Sequence, residues 1–298
     1  STAVFGNGRL LQVADVGDPQ APVVVGELEL DAPVRDVQVV GGLAYAALGP
    51  RGLAIVDVSS PATPSRVGAL ATPGPARGVA VLGSYVFVAA DDAGLRVVDV
   101  SDPANPLEVA SVPTSDRARA VAARADWYLM VVLEGSDGLV VIDAWPPTSP
   151  ILVGEWPGWV ANGGDVAVTA THAYVTDGNL AGMVWVVDVT DPTQPAWAGD
   201  VALYADEWPA AISIDGDLAF VGGTSYLTQH SGLMHVIDIS DPALPNVLAT
   251  AGADGDALGV AADAGRVYLA DGGNGLRVFN VGISAHQCQV RRSVIVVG

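Results

Sequence analysis

The chain has 298 residues, 50% of them hydrophobic, with 33 acidic and 13 basic residues and a formal net charge of −20. Such a charge repels nucleic acid and anionic membrane surfaces unless the few cations cluster. No apolar run approaches the roughly 18 residues of a membrane span, so no membrane insertion is expected. The single cysteine, Cys288, excludes an internal disulfide and a cysteine zinc cluster. Every basic residue is Arg, and Asp far outnumbers Glu, a usage that fits a GC-rich genome, a salty setting or an extracellular one. No signal peptide is visible. The first residue is Ser1 rather than Met, which is consistent with a leader that was removed.

One phrase recurs along the chain. It reads GLAIVDVSSP at Gly52–Pro61, GLRVVDVSDP at Gly94–Pro103, GLVVIDAWPP at Gly138–Pro147, GMVWVVDVTDP at Gly182–Pro192 and GLMHVIDISDP at Gly232–Pro242. Degraded copies stand at Gly8–Pro19 and Gly275–Gly282. Each repeat contains four short β-branched runs bounded by Gly, Pro, Asp and Ser, which is how strands read. In the second full unit these are Val79–Leu82, Tyr85–Ala89, Leu95–Val100 and Leu107–Val112. No segment sustains a 3.6-residue period, so almost no helix is expected. Four strands per unit of about 40–50 residues is the pattern of a β-propeller blade.

First strands begin at Val37, Val79, Val121, Val166, Ile212 and Val260, and eight residues beyond each stand Tyr45, Phe87, Leu129, Tyr174, Phe220 and Tyr268. These large side chains are read as filling the space between blades. The tail Arg292–Gly298 (RSVIVVG) matches Arg77–Gly83 (RGVAVLG), while the head of the chain begins where a second strand would. The last strand is therefore expected to serve as the first strand of a blade whose other three come from the N-terminus. This reading gives an all-β, seven-bladed propeller with four antiparallel strands per blade, a single domain over 1–298. A closed ring of this kind has no open ends between blades, so a monomer is expected.

The GLxVVDVSDP phrase, followed by ARGVAV-like and YVFVA-like strands, resembles the LVIVD-repeat family, and the resemblance spans essentially the whole chain. It implies a propeller and a secreted or cell-surface location in bacteria or archaea. It implies no particular activity.

Four sets of residues are candidates for function. The third-strand aspartates Asp15, Asp57, Asp99, Asp143, Asp188 and Asp238 sit just before turns, where a carboxylate accepts backbone N–H bonds. Structural calcium is the alternative, but each turn offers two carboxylates at most, against six to eight oxygens for that ion. No other cofactor or metal is implied. Arg35, Arg77, Arg119 and Arg292 each lie two residues before a first strand, where the other units carry Gly164, Ala210 and Leu258. First strands line the channel of a propeller, so these arginines form a cationic arc at its mouth. Guanidinium forks there suit a carboxylate, sulfate or phosphate. The competing reading pairs each Arg with a nearby acid such as Asp31, Asp36 or Asp116.

The opposite side of the mouth is aromatic, with Trp156 and Trp159 in one long connection, Tyr204, Asp206, Glu207 and Trp208 in the next, and Tyr226 and His230 in the longest insertion. Long loops on one face of a rigid array commonly carry binding, and Trp and Tyr suit a sugar ring or a protein partner. His230 with Tyr204 or Asp206 is the only constellation for proton transfer, and the phosphate-loop, zinc-protease and nucleophile-elbow motifs are missing. The leading reading is a non-enzymatic propeller binding a protein or carbohydrate through its loop-rich face. The alternatives are a hydrolase or lyase acting on an anionic glycan or other anionic small molecule, and a structural scaffold domain of a longer surface protein.

Overall fold

The computed structural model describes residues 1–298 except 136–137, 159, 161–162, 179–181, 204–206, 226–230, 285–286 and 297–298, and leaves out the side chains of 163, 231, 273, 283–284 and 287–296. Seven antiparallel sheets follow one another along the chain. Blade 1 holds β1 (Thr2–Asn7), β2 (Leu10–Asp15) and β3 (Val23–Glu29). Blade 2 holds β4 (Asp36–Val40), β5 (Leu43–Ala47), β6 (Leu53–Asp57) and β7 (Ser65–Leu70), and blade 3 holds β8 (Gly78–Leu82), β9 (Tyr85–Ala89), β10 (Leu95–Asp99) and β11 (Leu107–Val112). Blade 4 holds β12 (Arg117–Ala123), β13 (Tyr128–Glu134), β14 (Leu139–Asp143) and β15 (Ile151–Trp156), and blade 5 holds β16 (Gly163–Val168), β17 (His172–Asp177), β18 (Met183–Asp188) and β19 (Ala196–Ala202). Blade 6 holds β20 (Glu207–Asp215), β21 (Leu218–Ser225), β22 (Ser231–Asp238) and β23 (Asn246–Gly252), and blade 7 holds β24 (Ala257–Asp263), β25 (Arg266–Asp271), β26 (Leu276–Ser284) and β27 (Gln287–Val296). Among the described residues the only helical element is a 3-10 turn at Gly272–Asn274. No helix is long and apolar enough to cross a membrane.

The sheets pack face to face. Phe87 and Leu129 share one cluster across blades 3 and 4, Tyr45 packs against Val79, Val86 and Val98 of blade 3, and Tyr174 packs against Ile212 and Ile237 of blade 6. Phe220 reaches Leu269 and Phe279 of blade 7. The large second-strand residues fill the inter-blade space, as their spacing implies. The second strands β9, β13, β17 and β21 are buried on both faces and carry β-branched residues, so hydrophobic burial and strand propensity act together.

The first strands β4, β8, β12, β16, β20 and β24 stand side by side around the channel. Too far apart to share a ladder, they are stitched by side chains. Asp36 accepts from Val79 N at 2.8 Å and Gln38 from Val81 N at 2.6 Å. Farther round, Asp165 accepts from Ile212 N at 3.1 Å, and Ser213 from Ala262 N at 3.1 Å.

Closure departs from expectation. The C-terminal strand does not pair with β1. It lies on β26 as the fourth strand of blade 7, with Val294 opposite Val278 and Val296 opposite Leu276. Blade 1 consequently has three strands. The reason lies in β26, which runs on to Ser284 and turns back at once into β27, so the hairpin consumes the residues read as a first strand. The register also reproduces a bulge seen in every other blade. Between third and fourth strands the ladder slips at Val13/Ala14, Ile55/Val56, Val97/Val98, Val141/Ile142, Val186/Val187, Val236/Ile237 and, on β27, Val278/Phe279.

The bulge explains a glycine rule. The fourth-strand residues Gly26, Gly68, Gly154 and Gly199 lie beside it. A Cβ on them would stand 2.1, 2.1, 2.2 and 2.5 Å from the carbonyl oxygens of Pro61, Pro103, Pro192 and Pro242 in the next blade's turn. Where the next blade lacks an Asp-Pro or Ser-Pro turn, the residue is Ala110 or Ala249 instead. We expect Gly68→Ala to cost about 1–3 kcal/mol by overpacking against backbone. Gly252→Ala, with open space around it, should stay within about 0.5 kcal/mol. Urea titration of both variants checks this, and equal midpoints would refute the interlock.

Candidate functional site

The connections from second to third strand and from fourth strand to the next blade emerge on one face, here the upper face. Bridges Gly49↔Ala76, Asp91↔Ala118 and Gly135↔Val160 tie these connections together from blade to blade. Arg35, Arg77, Arg119, Trp156 and Trp208 lie on this face because first strands begin, and second and fourth strands end, at it.

The arginines follow a simple rule. Arg77, just before β8, binds Asp91, just past β9 of the same blade, through Nε at 2.8 Å and Nη2 at 2.6 Å. Arg119, in β12, pairs with Glu134 at the end of β13. Arg117 joins them, with Nε 3.1 Å from Asp92 and 3.5 Å from Asp91. Burial, and then the Arg77 guanidinium, pulls Arg119 below the ordinary guanidinium pKa, whereas the Asp92 hydrogen bond raises that of Arg117. The acids Asp31, Asp36 and Asp116 are not the partners of the arc. Asp31 instead holds Arg66 at 2.6 Å.

Arg35 breaks the rule. The second strand of its blade runs into Leu48 and Gly49 and offers no carboxylate. Among the described residues Arg35 forms no ion pair, and it is exposed. Arg292 has moved out of the arc: its backbone lies opposite Phe279 in an outer strand, far from any first-strand position. Among the described residues this face therefore presents Arg35, and Arg51 in the next connection of the same blade, without an ion pair beside a self-neutralised cluster.

On the other side of the mouth the aromatics divide. Trp156 ends β15, is buried, and tilts against Trp185 at 6.3 Å. A Cβ on Gly158 would enter its ring, so the connection folds directly over the indole. Trp208 is 38% exposed and lies over the backbone of Gly178. Trp159, Tyr204, Asp206, Tyr226 and His230 lie outside the described residues.

Beneath Trp208 sits a polar pair that sequence reasoning did not single out. Both side chains are fully buried. His235 Nε2 meets Glu207 Oε1 at 2.8 Å and Oε2 at 2.9 Å, and Nδ1 meets Thr250 Oγ1 at 2.9 Å. A signal existed. The variable position of the GLxVVD phrase holds Gln12, Arg96, Trp185, His235 and Arg277 in five units. Each partners an acid of its own blade: Glu27, Glu108, Asp177, Glu207 and Asp271. A polar residue at a buried strand position needs such a partner.

Inside the channel, Asp165 and Asp36 are electrostatically coupled. Burial, then the Asp36 charge, pushes the Asp165 pKa up to about 7, against the two N–H bonds it accepts from Val166 and Ile212. Burial raises Asp36 as well. On the lower face the signs reverse. Asp57, Asp99, Asp188 and Asp238 are lowered by Ser59, Ser101, Thr190 and Ser240, whose N–H groups they accept.

The fold so described is a seven-bladed β-propeller with a polar mouth on one face. The LVIVD repeat matches residues 33–72, 73–114, 125–156, 162–202 and 210–250, and the chain belongs to the LVIVD-repeat family. No curated protein matches it. Among solved structures it is similar to a protein from Lactobacillus plantarum, with TM-score 0.80 and 14% identity over 98% of this chain and 97% of that one. It is also similar to a chain in the mitotic checkpoint complex, with TM-score 0.75 and 14% identity over 95% and 87%. A third, the WD40 repeats of RRP9, gives TM-score 0.71 and 11% identity over 91% and 84%. At these identities the likeness is one of fold.

The raised Asp165 makes a pH prediction. The folded chain holds a proton there that the unfolded chain has already lost, so stability from this group falls as pH rises from about 4 to about 7. The lowered turn aspartates act oppositely, and their contribution is lost as pH falls below about 4. Denaturant stability of Asp165→Asn against the parent should therefore improve relatively between pH 4 and 7. Parallel profiles would refute the assignment.

Proposed function

We propose that the protein is a non-catalytic binding module, secreted or displayed on a cell surface and monomeric, whose upper face holds a protein ligand. The observation that carries this reading is the concentration of departures from the repeat on that face. Arg35 lacks the acid that its counterparts have, and Trp208 is exposed on the far side of the channel mouth. An unpaired guanidinium binds carboxylate, sulfate or phosphate through its planar fork. An exposed tryptophan on a rigid strand supplies apolar contact with little loss of side-chain freedom. Likeness of fold to propellers from the mitotic checkpoint complex and from the WD40 class supports a binding role.

The ligand is thus expected to present an anionic group within reach of an apolar or planar one, as an acidic peptide does. A sulfated or uronic glycan has the same two features and is the other outcome to test. Thermal-shift screening of the full chain against acidic peptides and against chondroitin sulfate distinguishes them, because a true ligand raises the melting temperature by mass action. For the hit, Arg35→Ala and Trp208→Ala are each expected to weaken binding by about tenfold or more. A ligand that binds both variants like the parent would place the site elsewhere.

A further inference from the structure

The lower face, formed by first-to-second and third-to-fourth turns, is regular in most blades. In blade 4 it is not. In blades 2, 3, 5 and 6 the turn after the third strand opens with an aspartate that accepts the N–H two residues on, from Ser59, Ser101, Thr190 and Ser240 at 2.8–2.9 Å. Trp145 occupies that place in blade 4 and donates to Asp143 at 2.9 Å. The backbone turn is therefore conserved, and the hydroxyl has been exchanged for an indole that is 62% exposed.

A second exchange lies beside it. The carbonyls of Ser1, Gly42, Ser84, Thr171, Asp217 and Gly265 each receive the N–H that follows a third strand, and in blade 4 Trp127 fills this role toward Ala144. Trp127 does so at φ 72°, in the left-handed region that disfavours a bulky side chain. Its ring meets Trp145 at 5.0 Å and Tyr85 of blade 3 at 6.2 Å, passing over Gly83. Two blades thus share an aromatic run. Leu107 and Ile151, opposite Asp99 and Asp143 in register, extend it with exposed apolar surface. Neither tryptophan is needed by the turn it occupies, since small or polar residues serve elsewhere.

The charge around the run chooses the occupant. Asp99 stands opposite Tyr85 in register and Asp143 accepts from Trp145 N, so a carboxylate lies beside each end of the run. Arg124, the one cation there among the described residues, is buried and committed: to Asp126 at 2.7 Å, to the carbonyls of Ala170 and Val189 at 3.2 and 2.7 Å, and to the Tyr128 ring at 5.0 Å. We propose that the surface formed by Tyr85, Trp127, Trp145 and the flanking aspartates docks an extended, arginine-bearing segment of a partner protein. A guanidinium stacks on indole while pairing with a carboxylate, so both features of the surface are used at once. The site lies on the opposite face from Arg35 and Trp208 and stands independently of the ligand proposed there.

The test is a calorimetric titration of the full chain with an arginine-glycine octapeptide, its lysine-glycine counterpart and cellohexaose. Binding of the arginine peptide, weaker for lysine and absent for the neutral sugar, is expected. Trp145→Ser installs the residue used by sister turns, so the fold is preserved and the net charge unchanged. It should weaken the arginine peptide by about tenfold or more, with Arg35→Ala and Trp208→Ala unaffected. Equal binding by Trp145→Ser would show attraction to net charge alone and overturn the proposal. So would binding of cellohexaose in place of the peptide, or no binding at all.

Discussion

The structure depends on a close approach of backbone to backbone between blades. In blades 2, 3, 5 and 6 the third-to-fourth turn pushes a proline carbonyl into the outer strand of the blade before it, at a bulge where only glycine leaves room. Face-to-face packing of twisted sheets is tolerant of small shifts, since apolar side chains slide. A carbonyl oxygen about 2 Å from a would-be Cβ is not. This contact therefore sets the angle from one blade to the next, and the apolar clusters fill in around it. Ala110 and Ala249 stand where the neighbouring turn has changed, whereas blade 7 carries Val294 before the Asp18-Pro19 turn of blade 1. The blade with the altered turn is also the one whose lower face carries Trp127 and Trp145, which fits a junction released from the common constraint.

What was legible in the sequence follows from this. The repeat phrase encodes a third strand and its turn, both local, and the strands fell where alternation and turn residues put them. The large second-strand residues were placed correctly because burial on both faces admits few other roles. Closure was not legible. Val294–Val296 carries an apolar pattern that suits a first strand and a fourth strand equally, and periodicity names no neighbour. The length of β26 decided it, and strand length is poorly encoded in an apolar run. The arginine arc was half legible. Position gave the mouth for Arg35, Arg77 and Arg119. The partners of Arg77 and Arg119 come from the ends of second strands, some fifteen residues on, which pairing by proximity in sequence misses. His235 and Glu207 were hidden because neither belongs to a motif. They become visible only when the variable position of the phrase is compared across all units.

The two faces differ in how their charges are arranged. Above, guanidinium and carboxylate groups interleave, and among the described residues Arg35 and Arg51 form no ion pair. Below, the aspartates are turned toward backbone N–H groups, and hydrogen bonds from Ser59, Ser101, Thr190 and Ser240 hold Asp57, Asp99, Asp188 and Asp238 below the usual carboxylate range, so the face presents negative potential. A net charge of −20 is thus unevenly expressed, and the disc can distinguish partners by the face they approach.

Closing the ring without strand exchange changes what holds head to tail. In a ring sealed by a shared sheet, separation of the ends breaks several backbone hydrogen bonds together. Here the seam between blades 7 and 1 is a packed one. Phe5, Ala14 and Val16 of blade 1 meet Leu276 and Val278 of blade 7, with Ala3, Val24 and Tyr268 around them. Arg266 adds one bond, to the carbonyl of Val16 at 3.4 Å. Blade 1 has no first strand to stitch to a neighbour, so its junctions rely on packing between sheets. Opening such a junction gives up apolar area rather than a shared ladder, and the free energy of opening tracks what is given up.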